Sequence, residues 1–405
     1  MAKNRFNKMT IENVNVKGKR VLLRCDLNVP IHDGVITDDQ RIKASVPTIK
    51  YLVEHGAKVI ICSHLGKSEK RQDIFPVCKA LSKACKKPIA FFNCDNVVDD
   101  NIVKKVNGLK DGQLCMLQNT RFRPEETEND EKFSRELASL CDIFVNDAFG
   151  TCHRAHSSNY GISRFVKYSV AGYLIKAELD YLCNYIDNPK RPFITVLGGA
   201  KIADKLKVID KALDRSDLLI IGGGMAFTFL KGLGYEVGKS MVDESKIDYC
   251  MQMLDKAKRL NKKIILPVDT VATTEMDINK CMTDKNISTK TFDVEKMDKN
   301  YQGLDIGEKT IRLIMKELRK AKTVLWNGPV GLFENQKFAL GTYCIAKQMS
   351  ELKDAVTIIG GGDSASAVNQ FKLSDKMTHI STGGGATLEF LKGEPLPGLE
   401  CLTDK

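Results

Sequence analysis

The stretch Thr357-Ile-Ile-Gly-Gly-Gly-Asp-Ser364 is the segment around which the other predicted segments of the chain can be arranged. An apolar run typical of a strand stops at three glycines, and an acid, a hydroxyl and a helix-permissive Ala-Ser-Ala-Val follow. Glycines let backbone N–H groups approach a ligand closely, and a helix N-terminus behind them favours negative charge. Asp363 would repel phosphate unless it holds Mg²⁺ that in turn binds the phosphates. The stretch predicts either a metal–nucleotide phosphate site or a tight turn in which Asp363 caps a helix.

The composition is that of a globular protein with two domains. The chain has 405 residues, more than one ordinary core holds, and 43% of them are apolar. The first residues lack the apolar segment of a secretory signal, and no apolar run approaches the length of a membrane span. Thirteen scattered cysteines without a C-x-x-C pair fit free thiols, so we expect a cytoplasmic protein. The net charge of +11 leaves nucleic acid open, but no basic run alternates with aromatic residues, which favours solvated faces.

Short apolar runs alternate with longer amphipathic stretches, which is the pattern of a parallel sheet with crossover helices. In the first half, strands are predicted at Arg20–Arg24, Lys58–Cys62, Gln113–Leu117 and Asp142–Val145. A polar loop follows each one, and ligands bind outside the carboxyl ends of parallel strands. We therefore expect one shared rim for Asp26, Asn28, His64, Arg121 and Arg154.

The second half repeats this arrangement with different loops. Strands are predicted at Phe193–Leu197, Leu218–Ile221, Lys263–Leu266, Thr323–Trp326, Val356–Ile359 and Thr378–Ser381. Their loops are rich in glycine and carry lysine and aspartate. The expected fold is α/β, with two Rossmann-like lobes that each consist of a parallel sheet flanked by helices. The lobes are expected at residues 1–171 and 188–392, joined by a helix or hinge at 172–187. A tail follows at 393–405, of which Gly393-Glu-Pro-Leu-Pro-Gly398 is expected to be extended.

Basic side chains of the first half form a candidate anion clamp. They are Arg41, His64, Lys67, Arg121 and Arg154. Guanidinium groups bind carboxylate and phosphate through paired hydrogen bonds. Asp26 and Asn28 would add acceptors for a hydroxyl, so the clamp fits a small ligand with phosphate, carboxylate and hydroxyl groups.

Two lysines and two competing motifs lie outside that clamp. Lys201 and Lys205 share one face at the start of a helix behind Gly198-Gly199-Ala200, which suits a polyphosphate. The segment Gly360–Ala365 matches the permissive dinucleotide fingerprint, so an NAD-dependent dehydrogenase is the alternative function. The pattern Cys152-His153-x-x-His156 offers three residues of types that bind zinc, but no fourth ligand follows at a recognisable spacing.

Eight motifs in one order carry a resemblance to a known family. They are Leu23-Arg-Cys-Asp-Leu-Asn-Val-Pro30, Ser63-His-Leu-Gly66, Val145-Asn-Asp-Ala-Phe-Gly-Thr-Cys-His-Arg-Ala-His156, Val196-Leu-Gly-Gly-Ala-Lys201, Ile221-Gly-Gly-Gly-Met225, Trp326-Asn-Gly-Pro329, Ile359-Gly-Gly-Gly-Asp363 and Ser381-Thr-Gly-Gly-Gly385. Along essentially its full length the chain resembles the phosphoglycerate kinases.

The resemblance implies a glycolytic kinase that acts as a monomer. It also implies that the tail at 393–405 returns to the first lobe. It would transfer a phosphoryl group reversibly between 1,3-bisphosphoglycerate and ADP, with Mg²⁺, in line and after lobe closure. The residues implied for the glycerate substrate are Asp26, Asn28, Arg41, His64, Lys67, Arg121 and Arg154. Those implied for the nucleotide are Lys201, Lys205, Asn327, Glu334, Gly360, Gly361, Gly362, Asp363 and Ser364, with Asp363 as the Mg²⁺ ligand.

Phosphoryl transfer needs positioning and electrostatic stabilisation more than covalent chemistry. The expected catalytic groups are Arg41, Lys201 and the backbone of Gly362, and no general base is required because the attacking oxygen is already anionic. The chain departs from the family pattern at Lys67, where arginine is usual, and at Gln118, Thr120, Glu308 and Ser364, where glutamate, valine, proline and threonine are usual. Lys67 keeps a positive charge but loses paired hydrogen bonding.

Overall fold

The computed structural model describes residues 7–66, 71–200 and 202–405. Its chain forms two compact units. The first comprises Met1–Cys183 together with Pro395–Lys405, and the second comprises Asn184–Glu394. The predicted helix around residues 172–187 is present as an α-helix over Tyr173–Leu182, followed by a π-helical turn over Cys183–Asp187.

The first unit contains a six-stranded parallel sheet and a two-stranded hairpin. Its strands are β1 Arg20–Cys25, β2 Ile31–His32, β3 Val35–Ile36, β4 Lys58–Cys62, β5 Ala90–Phe92, β6 Leu114–Leu117, β7 Ile143–Asp147 and β8 Ser169–Ala171. The order in the parallel sheet is β5-β6-β4-β1-β7-β8, and β2 pairs with β3. All four predicted strands of this half are confirmed, whereas the short strands β5 and β8 were missed.

Helices cover both faces of that sheet. Those of the first half are α1 Gln40–Glu54, α2 Phe75–Cys85, α3 Asp100–Asn107, α4 Glu125–Glu128, α5 Glu131–Ser139 and α6 Tyr173–Leu182. Alternate strand residues face opposite cores: Leu23 packs with residues of α1 and α2, and Leu22 packs with residues of α3 and α5. A period of two is the geometry of a strand, and burial on both faces is the rule for parallel sheets.

The second unit contains a parallel sheet and a smaller antiparallel one. Its strands are β9 Phe193–Leu197, β10 Leu218–Ile221, β11 Lys263–Ile265, β12 Asp269–Thr273, β13 Lys290–Asp293, β14 Gln302–Ile306, β15 Thr323–Asn327, β16 Val356–Gly360 and β17 His379–Ile380. The parallel order is β11-β10-β9-β15-β16-β17, and the antiparallel order is β13-β12-β14. The six predicted strands are confirmed, but the antiparallel sheet was not predicted.

The helices of the second unit again lie on both faces of the parallel sheet. They are α7 Leu206–Arg215, α8 Ala226–Gly232, α9 Ile247–Arg259, α10 Ile278–Thr283, α11 Glu308–Leu318, α12 Leu340–Ser350, α13 Gly362–Gln370 and α14 Gly384–Lys392. Residues of α11, α12 and α13 share one core with Val196, Val324 and Ile359, while α7 contacts β9 and β10 and packs against α14. No helix among the described residues is long and apolar enough to cross a membrane.

The C-terminal segment belongs to the first unit. Its backbone joins the start of the chain, because Met9 N–H donates to Thr403 O at 2.8 Å and Thr403 N–H donates to Ser169 O at 2.8 Å. The tail predicted to be extended contains a short helix, α15, over Pro397–Glu400. A proline at the first helical position is compatible with helix, which explains why the extended prediction was wrong there.

Asp147, the last residue of β7, is a buried carboxyl that caps helix α6. Its Oδ1 accepts hydrogen bonds from the backbone N–H groups of Leu174 at 2.9 Å and Ile175 at 3.3 Å. Burial raises the pKa of Asp147 to about 7, although these N–H groups act in the opposite direction. The folded protein therefore binds a proton here that the unfolded chain releases at much lower pH.

We expect Asp147→Asn to remove part of the pH dependence of stability. An exposed aspartate has a pKa near 4, so between about pH 4 and pH 7 the unfolded chain binds fewer protons at this position than the folded one. The free energy of unfolding then falls as pH rises, by up to about 1.4 kcal/mol per pH unit, and levels off above the folded pKa. Urea unfolding at several pH values would measure the slope.

The control for this experiment is Asp375→Asn, which changes an exposed aspartate. Asp305 contributes to the same slope in every variant, because burial raises its pKa to about 8. The difference between the parent and Asp147→Asn isolates Asp147. Equal slopes in both proteins would contradict the prediction.

Candidate functional site

The first sheet has a topological switch point at β1. The chain leaves β1 for β4 on one side and later returns to its other side as β7. The register places Arg24 between Cys62 of β4 and Asn146 of β7. Ligands bind at the carboxyl ends of strands next to such a point. The loops that follow β1, β4 and β7 therefore begin at one edge of the sheet, as predicted.

Asp26, Asn28 and Arg41 are brought together in the loop after β1 and at the start of α1. Arg41 Nη1 donates to Asp26 Oδ1 at 2.8 Å and to Asn28 O at 3.2 Å. Asn28 Oδ1 accepts the backbone N–H of Gly66 at 2.8 Å, which ties this loop to the one after β4. The Arg41 side chain stays 34% exposed, while that of Asp26 is only 3% exposed. Arg41 can thus reach a ligand while Asp26 fixes its position.

Arg121 lies against the same loop with part of its hydrogen-bonding capacity unused. Its Nη1 donates to Gly66 O. Its Nε is buried and has no hydrogen-bond partner among the described residues. Burial lowers the pKa of Arg121, and the neighbouring Arg154 and Arg24 lower it further. A buried donor without a partner is costly, so this group favours a bound anion.

His64 is held by Arg24, a residue that the sequence analysis did not single out for the site. Arg24 is fully buried, and its Nη2 lies 3.1 Å from His64 Nδ1. Its Nε donates to Ser158 Oγ at 2.9 Å, and its Nη1 donates to Cys25 O at 2.5 Å. The available signal was an arginine inside the apolar run Val21–Cys25, since a buried charge needs specific partners.

The two histidines of this rim are surrounded by positive charge. Burial lowers the pKa of His64 well below its usual value, and Arg24, Arg121, Arg41 and Arg154 add to the effect. Burial also lowers the pKa of His156 to about 4, again with contributions from Arg24, Arg154 and Arg121. Both rings are neutral near pH 7, and the guanidinium groups supply the charge. We call these four arginines together with His64 the basic cluster.

Arg154 is carried by the loop after β7. Its side chain is exposed, and its Nε donates to His153 Nε2 at 3.0 Å. Asn159 holds the loop closed, because its Nδ2 donates to Thr151 O at 2.7 Å and to Arg154 O at 3.0 Å. Cys152, from the alternative zinc pattern, is buried with its thiol donating to Ala148 O at 3.5 Å.

Gln118 stands where glutamate is usual in the family that the sequence resembles, and its hydrogen bonds explain the difference. Its Nε2 donates to Asp73 Oδ1 and to Asn93 Oδ1, both at 3.0 Å. Its Oε1 accepts the backbone N–H of Ile74 at 3.2 Å. The side chain is 2% exposed. Because Asp73 faces this position, an amide that donates fits here and a second carboxylate would not.

We expect Gln118→Glu to lower the free energy of unfolding by about 1–3 kcal/mol, since it removes two donated hydrogen bonds and buries a carboxylate beside another. The loss should be larger at pH 8 than at pH 5, where the new carboxyl can take up a proton. Urea unfolding measures this, and adding Asp73→Asn should restore most of the stability. The control is Gln113→Glu at an exposed position. Equal effects at both positions would contradict this explanation.

The second unit has its own switch point, between β9 and β15. The register pairs Asn327, the last residue of β15, with Leu197 of β9 and Gly360 of β16. A cleft of about 430 Å³ opens there. It is lined by Gly199, Ala200, Lys205, Asn327, Gly328, Gly361, Gly362, Asp363, Ser364, Gly384, Gly385 and Leu388. Gly384, Gly385 and Leu388 were not predicted as site residues, although the first two belong to the glycine-rich motif Ser381-Thr-Gly-Gly-Gly385.

Lys205 joins two loops of the cleft. Its Nζ donates to Gly198 O at 2.5 Å and to Asn327 O at 2.8 Å. The residue is 8% exposed and lines the cleft. The ammonium group therefore fixes the loops after β9 and β15 relative to each other, in addition to placing positive charge in the cleft.

Hydrogen-bond donors point into the cleft from two helix ends. Helix α13 begins at Gly362 and helix α14 at Gly384, and both N-terminal residues line the cleft. Gly361 has φ +91°, a conformation that suits glycine, just before α13. Asn327 Nδ2 is buried and has no partner among the described residues. Helix N-termini together with a donor that lacks a partner fit the phosphates of a nucleotide.

Ser364 and Asp363 occupy different positions in the first turn of α13. Ser364 is buried, and its Oγ accepts the backbone N–H of Gly328 at 2.6 Å, which leaves its own O–H free to donate. The Asp363 side chain is exposed and makes no hydrogen bond or ion pair with the rest of the described chain. An exposed carboxylate in a site of N–H donors suits a metal ion bound together with phosphates.

Other predicted site residues are not placed in the cleft. Gly360 ends β16 behind the lining residues, and Glu334 is exposed and does not line the cleft. Lys67 and Lys201 lie outside the described residues.

Glu308 begins helix α11 and pairs with Arg312 at 2.8 Å. An acidic residue at a helix N-terminus is favourable, so this departure costs the fold little.

The fold and the two sites define a class: a two-unit α/β protein whose first unit carries a basic cluster suited to a small anion and whose second unit carries a glycine-rich cleft suited to phosphates. The comparisons with known proteins agree with it. A family model described as Phosphoglycerate kinase matches residues 11–394. Curated proteins named phosphoglycerate kinase from Clostridium tetani and Clostridium novyi are 54% and 53% identical, and the alignments cover 99% of this chain and 99% and 100% of those proteins.

Solved structures of phosphoglycerate kinases from Coxiella burnetii and Pyrococcus horikoshii superpose with TM-scores of 0.86 and 0.84. They are 36% and 33% identical, and each covers 97% of this chain and 98% of its own. The chain belongs to the phosphoglycerate kinase family. It is a glycolytic phosphotransferase that acts between 1,3-bisphosphoglycerate and ADP, and no finding supports the dehydrogenase alternative.

Proposed function

We propose that each unit binds one substrate of this reaction. The first unit would hold 3-phosphoglycerate or its acyl phosphate in the basic cluster, with Asp26 and Asn28 beside it. The second would hold ATP or ADP in the cleft between β9, β15 and β16. What carries this proposal is the unused hydrogen-bonding capacity in both places, Arg121 Nε in one and Asn327 Nδ2 in the other. Buried donors without a partner are rare and favour a ligand that satisfies them.

The chemistry of the basic cluster supports the glycerate assignment. Arg24, Arg41, Arg121 and Arg154 are close enough to His64 to lower its pKa, so they act on one small region. Carboxylate and phosphate groups are the anions that guanidinium binds best. We assign Arg41, Arg121 and Arg154 to these groups and His64 to binding alone. Lys67, which lies outside the described residues, would add a further positive charge.

The cleft of the second unit supports the nucleotide assignment. Its volume of about 430 Å³ lies within the usual range for small-molecule sites. Lys205, Ser364 and the backbone of Gly361 and Gly362 would contact the phosphates, and Asn327 would contact the nucleotide nearby. Glu334, which does not line the cleft, stays a prediction for the nucleoside. Gly360 supports the loop from the end of β16.

We assign Mg²⁺ to Asp363. Its carboxylate is exposed and lies next to the N-terminal N–H groups of α13. An oxygen ligand supplied by one carboxylate, completed by phosphate oxygens and water, is the usual way a protein holds this ion. When bound, the ion would neutralise charge on the phosphates. The residues of the cleft hold and orient the nucleotide.

Catalysis would come from positive charge around the transferring group. Its transition state is loose and spreads charge over three oxygens. Arg41 from the first unit and Lys201 and the Gly362 N–H from the second are our candidates for stabilising that charge; Lys201 lies outside the described residues. The attacking oxygen is already an anion, so no side chain has to remove a proton.

We further propose that the enzyme is monomeric and cytoplasmic. The thirteen cysteines all lie among the described residues and form no disulfide there, and ten of them are buried. Free thiols in that number suit a reducing compartment. We expect no nucleic acid or membrane partner.

The test is Mg²⁺- and ATP-dependent phosphorylation of 3-phosphoglycerate, followed by coupled NADH oxidation. We expect activity in the parent protein and a loss of kcat of roughly 100-fold in Asp363→Ala, since the metal supplies several kcal/mol of stabilisation. The unfolding midpoint should not change, because Asp363 has no structural contact among the described residues. Asp375→Ala is the exposed control. Full activity in Asp363→Ala would remove the metal assignment, and an inactive parent would remove the proposed function.

A further inference from the structure

A buried chain of hydrogen bonds runs from Glu126 to His64. Glu126 lies in α4, is fully buried and accepts the O–H of Ser158 at 2.5 Å and its backbone N–H at 3.0 Å. Ser158 Oγ accepts Arg24 Nε at 2.9 Å. Arg24 Nη2 then lies 3.1 Å from His64 Nδ1. These hydrogen bonds link four residues: Glu126, Ser158, Arg24 and His64. Of these, only His64 was individually assigned to substrate binding.

The chemistry of Arg24 and Glu126 determines which group donates and which accepts in each of these hydrogen bonds. A guanidinium group only donates, and a carboxylate only accepts. Ser158 must therefore accept from Arg24 and give its single O–H to Glu126. At the other end, His64 Nδ1 must accept from Arg24. The ring then carries its proton on Nε2 and has one donor left for a ligand.

The surroundings show why Arg24 needs an acidic partner. The charged groups that act most strongly on His64 are Arg24, Arg121, Arg41 and Arg154, all positive. Asp26 lies in the same region and pairs with Arg41. Glu126 is the carboxylate to which the hydrogen bonds of Arg24 among the described residues lead, through Ser158. Glu126 thus supplies, through Ser158, a carboxylate that balances the buried charge of Arg24 while Arg24 donates to His64.

We propose that Glu126, through Ser158 and Arg24, is a positioning residue that fixes His64 as the neutral Nε2–H tautomer for hydrogen bonding to the glycerate substrate. The hydrogen bond from His64 to the glycerate substrate rests on the function proposed above for His64. The competing explanation is that Ser158 and Glu126 only anchor the loop before Gly161. The neighbouring Ser157 offers the comparison, because its Oγ anchors the same loop through Glu125 O at 2.9 Å and Asp130 O at 3.3 Å without touching Arg24.

The experiment compares Ser158→Ala, Ser158→Thr, Glu126→Gln and the control Ser157→Ala. Two-dimensional NMR of protein labelled with ¹⁵N-histidine reports the protonation of each ring nitrogen, and His64→Gln assigns the signal. In the parent we expect a protonated Nε2 and an unprotonated Nδ1 between pH 6 and pH 8. Ser158→Ala and Glu126→Gln should give mixed tautomers and raise the KM for 3-phosphoglycerate about tenfold, with kcat and the KM for ATP nearly unchanged.

Ser158→Thr keeps the hydroxyl and should restore both the spectrum and the KM, and Ser157→Ala should leave the His64 spectrum as in the parent. If the His64 signals of Ser158→Ala match those of the parent, the proposal is wrong, whatever happens to the KM. Should Ser158→Ala fail to fold, Glu126→Gln decides by the same criterion. Adding 3-phosphoglycerate to the parent separates the two claims: an unmoved Nε2 signal would remove the substrate role of His64 while leaving the tautomer result intact.

Discussion

Lys205→Met is expected to lower kcat/KM for ATP by roughly 100-fold or more. The substitution keeps an unbranched side chain of similar length but removes an ammonium group that donates to Gly198 O and Asn327 O. The loops after β9 and β15 lose their link, and the cleft loses a positive charge in a buried position. Losing a buried, hydrogen-bonded charge at a binding site typically costs about 2–5 kcal/mol, and about 2.8 kcal/mol corresponds to 100-fold. Steady-state kinetics with each substrate varied separately measures the effect, and the KM for 3-phosphoglycerate should change little.

Lys207→Met is the matched control, because Lys207 lies two residues further on and its side chain is 70% exposed in a surface pair with Glu394. Exposed pairs of this kind contribute about 0–1 kcal/mol. Calorimetric titration with ADP separates binding from turnover. If Lys205→Met binds ADP and turns over as the parent does, Lys205 has no part in the cleft beyond its position in the chain.

Arg121→Met is expected to weaken 3-phosphoglycerate binding about 100-fold without destabilising the protein. Arg121 carries a buried Nε without a partner among the described residues and lies near Arg154 and Arg24, which lower its pKa. Removing it relieves an unsatisfied donor and a repulsion between like charges but also removes the hydrogen bond to Gly66 O, so the free energy of unfolding should change little. Losing a charged hydrogen bond to a bound anion costs about 2–5 kcal/mol, enough for the expected change in affinity.

Arg123→Met should behave in the opposite way. Arg123 pairs with Glu125 at 2.9 Å and Glu136 at 3.2 Å, and its side chain is 17% exposed. Its loss should reduce stability by about 1–3 kcal/mol and leave 3-phosphoglycerate affinity near that of the parent. Calorimetric titration and urea unfolding of both variants give the comparison. A stability loss in Arg121→Met as large as in Arg123→Met would show that Arg121 is mainly structural.

The sheet strands could be predicted because burial on both faces leaves a long apolar run. Phe193–Leu197 and Val356–Ile359 are such runs, and each continues directly into a glycine loop. The antiparallel sheet was missed because its strands lack that signal: Lys290–Asp293 contains two exposed residues at its start, and Gln302–Ile306 includes a glycine. The three-residue strands β5 and β8 are too short for their own pattern.

The site could be predicted wherever function depends on a residue at the end of a strand. Asp26, His64, Lys205 and Asp363 all follow strands, and the register brings their loops to the expected edges. Roles that depend on long-range contacts could not be predicted. Arg24 contacts Ser158, which is 134 positions away in the chain, and Lys205 contacts Asn327, which is 122 away. No local pattern encodes such pairs, so Lys205 was expected to bind phosphate alone.

The backbone hydrogen bonds between the two ends of the chain have a consequence for biosynthesis. The second unit is one continuous segment, Asn184–Glu394, whereas the first needs Pro395–Lys405 to be complete. A ribosome synthesises residues in order, so the hydrogen bond from Met9 N–H to Thr403 O cannot form until nearly the whole chain has been made. We expect the nascent first unit to stay incompletely closed during translation while the second can already fold. Pausing late in translation would therefore expose an unfinished first unit to proteases and chaperones.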